Sequence, residues 1–126
     1  PAAAAFAMLL EAGLSPDERD SEGQSALFDN YLTPEAARVL VAHGVSRAPR
    51  HTNAAQQAWS PVTWQTERGN WATARVLLEA GLALDYASPP GSRFAQVMAT
   101  ALEGASDDDR ADADMQVLVA AAERVK

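Results

Sequence analysis

The two histidines are the first side chains to weigh as chemical groups, because the chain has no cysteine. Neither His43 nor His51 lies near a carboxylate pair or a serine in a catalytic arrangement. His43 falls in the last turn of a predicted helix, where a charged imidazole interacts favourably with the helix dipole. His51 falls in an irregular segment, where we predict a contact with a binding partner. No zinc-binding helix motif or phosphate-binding glycine loop is present, so we predict no catalytic site, no metal and no cofactor.

Residues 107–114 have the sequence DDDRADAD, which is rich in aspartate and could suggest a calcium-binding loop. An EF-hand loop requires alternating oxygen ligands, a central glycine and a terminal bidentate glutamate. Here Ala111 and Ala113 occupy alternate positions, and the run continues into an apolar segment. The run is more typical of a solvated turn whose aspartates cap the last helix. An acidic patch that meets a basic partner is the alternative.

The bulk composition predicts one folding unit, since 126 residues with 48% hydrophobic content suffice for one core. The net charge of -7 argues against nucleic-acid binding, which needs clustered Lys and Arg, and favours a basic partner. No apolar run approaches the roughly 20 residues of a membrane span. We expect a monomer in the cytoplasm, where a chain without cysteine fits. Pro1 either follows a removed initiator Met or marks a cut within a longer chain.

An internal repeat organises the chain. Residues 7–13 (AMLLEAG), 38–44 (RVLVAHG) and 75–81 (RVLLEAG) align without gaps. Each is an apolar helix end followed by glycine, the residue that most readily takes a left-handed backbone at a helix C-terminus. The glycines are 31 and 37 residues apart, on either side of the roughly 33-residue period of ankyrin repeats.

One copy carries the clearest pattern. Ser60 can cap a helix, Pro61 suits its first turn, and Gly69 with Asn70 can form the turn into a second helix that ends at Gly81. This copy resembles the ankyrin pattern Thr-Pro-Leu-His, Gly, Leu-Leu, Gly, and its spacing fits without an insertion. The resemblance covers about 100 residues and implies an all-α ankyrin-repeat solenoid of stacked antiparallel helix pairs with finger loops.

Under this resemblance the chain divides into an N-terminal half repeat (1–19), two repeats (20–50 and 51–85) and a C-terminal capping repeat (86–126). We predict helices over residues 2–12, 25–32, 34–43, 61–68, 71–80, 94–103 and 109–124, with no sheet. The other copies depart from the pattern. Ala26 and Phe28 replace the usual proline and histidine, and Arg93 with Phe94 stands where Thr-Pro is usual.

The three tryptophans, Trp59, Trp64 and Trp71, all fall in one repeat. The resemblance implies that Trp64 faces a concave groove lined by first helices and fingers, and Trp and Arg are enriched at interface hot spots. We therefore predict a partner-binding surface made of Trp64 and Arg68, one helical turn apart, with Asp29, Tyr86 and His51. Core packing is the alternative for Trp64.

The function that the resemblance implies is protein binding. We expect a non-enzymatic scaffold or adaptor that binds a protein partner through its concave groove and finger loops. The alternative is a bacterial immunity protein that neutralises a cognate toxin, since strong negative charge would steer association with a basic enzyme. An enzyme is a third class, and the residue types above give it no support.

Overall fold

The computed structural model describes residues 8, 11–13, 15, 17, 25–46, 49, 55 and 57–125. The protein is all-helical in these ranges, and no strand occurs within them. From residue 25 onwards, the described residues form a 3-10 turn at Ala26–Phe28 and then six helices. These are α1 (Pro34–Ala42), α2 (Pro61–Glu67), α3 (Trp71–Glu79), α4 (Ser92–Glu103), α5 (Asp107–Ala111) and α6 (Ala113–Arg124).

The helices contact one another in two sets. In the first set α2 packs against the 3-10 turn on one side and against α4 on the other. In the second set α3 packs between α1 and α6, while α2 and α3 contact each other most extensively. The pair α2–α3 is therefore the centre of the described structure, and every partner-binding residue predicted on α2 is positioned by this pair.

Glycine ends the helices where the sequence predicts it. The backbone φ angles of Gly13, Gly44 and Gly81 are 106°, 82° and 93°, all in the left-handed region. Ser60 caps α2, because its hydroxyl accepts from the Thr63 amide, and Pro61 is the first helical residue. The predicted helix ends of the repeat, and the start of its best copy, are confirmed.

The helix predicted over residues 25–32 is wrong. The chain makes only the 3-10 turn, and Asp29 then takes an extended backbone. The Asp29 carboxylate accepts from the Tyr31 amide at 2.8 Å, a local hydrogen bond that competes with helix formation. Of the helix predicted over residues 2–12, the structure describes Met8 and Glu11, which are helical, and Ala12, which lies in a turn.

The helix predicted over residues 109–124 is two helices. Ser106 and Asp109 form a capping box that starts α5. Asp112 then breaks the helix, because its side chain accepts from the Met115 amide at 3.0 Å and caps α6. The acidic run is thus a short capped helix rather than a turn, although an aspartate does cap the last helix as predicted.

The core is formed by the 3-10 turn and by every described helix except α5. Its largest fully buried apolar side chains are Leu27, Leu40, Val62, Leu77, Phe94, Met98, Met115 and Leu118. His43 lies outside this core at the end of α1, where its Nδ1 contacts the Val39 carbonyl at 2.9 Å. None of the described helices is long and apolar enough to cross a lipid bilayer.

Candidate functional site

The segment before α1 is held by side chains of the central helix pair. Gln65 is completely buried on α2, and its amide nitrogen donates to the carbonyls of Leu27 and Asp29, both at 2.8 Å. Its amide oxygen accepts from Asn70 at 2.8 Å. The side chain is thus fully bonded, and it supplies the donors that a helix would have supplied to these carbonyls.

Three more donors complete this contact, which we call the polar junction. Trp64 Nε1 donates to the Phe28 carbonyl, Asn70 Nδ2 to the Asn30 carbonyl, and Thr73 Oγ1 to the Leu32 carbonyl, each at 2.8 Å. Buried carbonyls left without donors would cost free energy. The polar junction therefore fixes the segment 27–32 against α2 and α3, and with it the surface that the segment shares with Arg68.

Trp64 is a buried residue, only 8% exposed. Its ring meets Phe28 edge-on at 5.8 Å and Trp59 edge-on at 5.9 Å between centroids. The core-packing alternative thus describes Trp64, and the ring is not freely presented to a partner. The Arg68 guanidinium covers it at 3.6 Å from the ring centroid, a cation–π arrangement.

Arg68 is the solvent-facing part of this cluster. Its side chain is 29% exposed, and it also bonds the carboxylate of Glu67 and the side-chain oxygen of Asn30. The predicted pair Trp64 and Arg68 is therefore in contact, but the arginine, not the tryptophan, forms the surface. The contact also joins α2 to the turn before α1.

Trp59 presents an aromatic surface beside this cluster. It is half-buried and precedes the cap residue of α2. The Arg93 guanidinium lies 5.5 Å from its ring centroid, and Arg93 in turn donates to the Gln96 side-chain oxygen at 3.3 Å. A tryptophan just before α2 and an arginine in the first turn of α4 are thereby arranged along one surface.

An open groove follows from this arrangement, and we call it the α2–α4 groove. It has a volume of about 290 Å³. Its walls combine apolar, aromatic and charged side chains: Trp59, Glu67, Arg93, Gln96, Val97, Thr100 and Ala101. Such a mixture of apolar surface with a few placed polar groups is typical of binding sites.

A larger concavity of about 460 Å³ runs along the turns between helices. Its charged residues are Asp112 and Asp114. Asp112 is used as the cap of α6, and Asp114 accepts from Arg75 at 3.2 Å. That hydrogen bond, with the charge of Glu79, raises the pKa of Arg75. Because these carboxylates already serve the fold, we regard the smaller α2–α4 groove as the better candidate site.

The remaining predicted site residues lie apart. Asp29 is exposed, and Asn30 rather than Asp29 contacts Arg68. Tyr86 is half-buried and bonds the loop before α2, with its amide donating to Ala58 and its hydroxyl to Pro49, each at 2.8 Å. His51 lies outside the described residues. The structure thus brings Arg68 to the groove region and gives Tyr86 a role in holding the adjoining loop.

Sequence reasoning missed Arg93, Gln96 and Thr100 as surface residues. They follow one another at spacings of three and four, so they fall on one face of α4. This spacing is visible in the sequence, and it could have indicated a row of polar side chains along one face of α4. Among the described residues, no group of three or more His, Cys, Asp or Glu could hold a metal ion.

Comparison with known proteins adds no relative. The chain matches no family model, and it has no significant match among curated proteins or solved structures.

Proposed function

We propose that this protein is an ankyrin-type repeat module that binds a protein partner without catalysis, through the α2–α4 groove and the adjoining Arg68 surface. The observation that carries the proposal is the Trp59–Arg93 pair, in which an aromatic ring from the loop before α2 and a guanidinium from α4 line one open groove. Tryptophan and arginine dominate the binding energy of many protein interfaces. The repeat reading is supported by the glycine-ended helices and by the two sets of helix contacts.

The groove is fixed before any partner arrives. Arg93 is held by Gln96, and Trp59 packs against Trp64, which the polar junction anchors in turn. Ordering a side chain on binding costs roughly 0.5–1.5 kcal/mol. A groove whose side chains are already held avoids part of this cost, and this favours recognition of a peptide segment or a protein surface.

Photo-crosslinking tests the proposal. A photoreactive phenylalanine analogue is placed at Thr100 in the groove, and in a matched variant at Arg38, which is exposed on α1. Both proteins are irradiated in the cells that naturally express the chain. We expect a discrete protein adduct from the Thr100 variant and none from the Arg38 variant. Equal adducts from both sites, or none from either, would contradict the proposal.

The alternative is an immunity protein that neutralises a basic toxin. Exposed carboxylates on and around α5 favour it, since Asp107, Asp108, Glu103 and Glu123 are exposed and none makes a salt bridge with a described residue. Negative charge of this kind raises the association rate with a basic protein. If a neighbouring gene encodes a toxin, deleting the gene for this chain should kill cells that express the toxin. Survival of those cells would exclude the alternative.

A further inference from the structure

Arg93 differs in its partners from Arg68 and Arg75, the arginines at the end of α2 and on α3. Arg38 on α1 also makes no ion pair with a described residue, but its side chain is exposed. Arg68 bonds Glu67, and Arg75 bonds Glu79 and Asp114. Arg93 is also partly buried, but no carboxylate of a described residue lies within 4.0 Å of its guanidinium nitrogens. Its only hydrogen-bond partner in the described structure is the neutral side chain of Gln96.

The nearby carboxylates are used elsewhere. Glu67 lines the same groove, but its oxygen bonds Arg68. Asp85 lies near the start of α4, and its buried oxygens accept from the amides of Ala87, Gly91 and Phe94 at 2.8–3.1 Å. Both groups have fixed positions, and neither pairs with Arg93. The groove thus holds a cation that pairs with no carboxylate in the part of the chain that the structure describes.

The surroundings of Arg93 define what would complete it. A guanidinium presents a planar set of N–H donors that matches a carboxylate, and Arg93 uses one nitrogen on Gln96. The surface next to it is apolar, with Trp59, Val97 and Ala101 lining the same groove. A ligand that fits has a carboxylate for the guanidinium and an apolar group beside it.

We propose that the α2–α4 groove binds a peptide segment of the partner that places an Asp or Glu side chain on Arg93 and an adjacent apolar side chain on Trp59 and Val97. This inference rests on the proposed function and adds the chemistry of the partner. This preference for an acidic segment is opposite to the preference expected from the net charge of the protein. A chain of net charge -7 attracts basic peptides non-specifically, so recognition of an acidic segment has to come from this local site.

Selection from a random peptide library displayed on phage tests the proposal. The bait is the whole chain, and the matched baits are Arg93→Gln and Arg38→Gln, which remove the same charge from the groove and from the exposed face of α1. We expect the wild type and Arg38→Gln to enrich peptides with an acidic residue next to an apolar one. Arg93→Gln should lose the acidic position and keep the apolar position.

A double-mutant cycle measures the contact itself. Replacing the acidic residue of a selected peptide with its amide should weaken binding to the wild type by about 10-fold to 100-fold, as for other hydrogen bonds to charged groups. The same replacement should change binding to Arg93→Gln by less than about 2-fold, because the partner charge is already gone. Circular dichroism melting of each bait confirms that the variants fold.

The outcomes separate the two proposals. Enriched peptides without an acidic position, or an unchanged motif with Arg93→Gln, would overturn the acidic-segment inference and leave the binding module standing. A failure of every bait to enrich any peptide, together with no groove adduct in crosslinking, would overturn both. Binding of acidic peptides that Arg38→Gln weakens as much as Arg93→Gln would place the contact elsewhere.

Discussion

The central pair α2–α3 meets its two neighbours by different chemistry. Towards the N-terminus it meets the segment 27–32 through the polar junction, in which side chains of α2 and α3 donate to main-chain carbonyls. Towards the C-terminus it meets α4 and α6 mainly by apolar contact, where Phe94 and Met115 are fully buried, with one ion pair between Arg75 and Asp114. We call this contact the apolar junction. The difference shows that side-chain hydrogen bonds from α2 and α3 can hold a non-helical segment in place, where helices α4 and α6 are held mainly by apolar contact.

The two junctions also differ in how specific they are. Apolar contact is roughly proportional to buried area and tolerates many shapes, whereas a hydrogen bond needs its donor in one place. We therefore expect the apolar junction to contribute more stability and the polar junction to fix the position of the N-terminal segment. Four substitutions, taken from the largest expected effect to the smallest, test this difference.

Phe94→Ala is expected to have the largest effect. The side chain is fully buried in the core, and truncating such a ring costs about 3–5 kcal/mol through lost burial and the cavity left behind. Urea unfolding followed by circular dichroism measures the free energy. Tyr31→Ala is the control, because that ring is 89% exposed and should change the free energy by less than about 0.5 kcal/mol. A loss below about 1 kcal/mol for Phe94→Ala would contradict the apolar junction.

Gln65→Met tests the polar junction. Methionine has a similar length but cannot donate, so the carbonyls of Leu27 and Asp29 lose their donor. We expect a loss of about 1–3 kcal/mol. Hydrogen exchange localises it, because the amides of Phe28 and Leu32 should exchange faster while those of α4 do not. Uniform acceleration across both regions would show that the two junctions are not separable.

Gly91→Ala tests the start of α4 within the apolar junction. Gly91 has φ 86°, and an added Cβ would come within 2.9 Å of Val125. A left-handed backbone costs a non-glycine residue about 1–2 kcal/mol, and the close contact adds to this. Gly104→Ala is the matched control, since its φ is -93° and no atom lies within 4 Å of the added Cβ. Equal melting temperatures for the two variants would contradict this account.

Arg68→Ala should have the smallest effect on stability. The guanidinium covers Trp64 but is partly exposed, and an exposed cation–π contact contributes about 0.5–1 kcal/mol. The tryptophan fluorescence of the chain, to which Trp64 contributes together with Trp59 and Trp71, should shift to longer wavelength as water reaches the Trp64 ring. A crosslinked partner should bind this variant less tightly than the wild type. Unchanged fluorescence would show that other side chains still shield the Trp64 ring from water.

The sequence was sufficient for features set by local chemistry. Glycines that end a helix, such as Gly44 and Gly81, and the Ser60 cap act on the few residues around them. The residue type alone therefore predicts where these helices end or begin. The helix over residues 25–32 was predicted wrongly because its alternative depends on Gln65, whose partners are 36 and 38 residues away. The break at Asp112 is local, because its carboxylate caps α6 through the Met115 amide, but the run offers several aspartates that could cap the helix.

The candidate site was predictable only in part. Arg68 was identified, since its position one turn after Trp64 follows from helix geometry. The burial of Trp64 depends on Phe28 and Trp59, which approach it from two other segments. Arg93 came to the groove through the packing of α4 on α2, a contact between elements that no spacing within α4 reveals.

The position of Gln65 sets an order of assembly during synthesis. The carbonyl of Leu27 leaves the ribosome 38 residues before the amide that binds it. Translation proceeds at about 5–20 residues per second. The segment 27–32 therefore lacks its hydrogen bonds to Gln65 for about two to eight seconds while α2 is made. A nascent chain stalled when residue 60 has just emerged from the ribosome should therefore be cut by protease within the segment 27–32, whereas one stalled after α3 has emerged should resist.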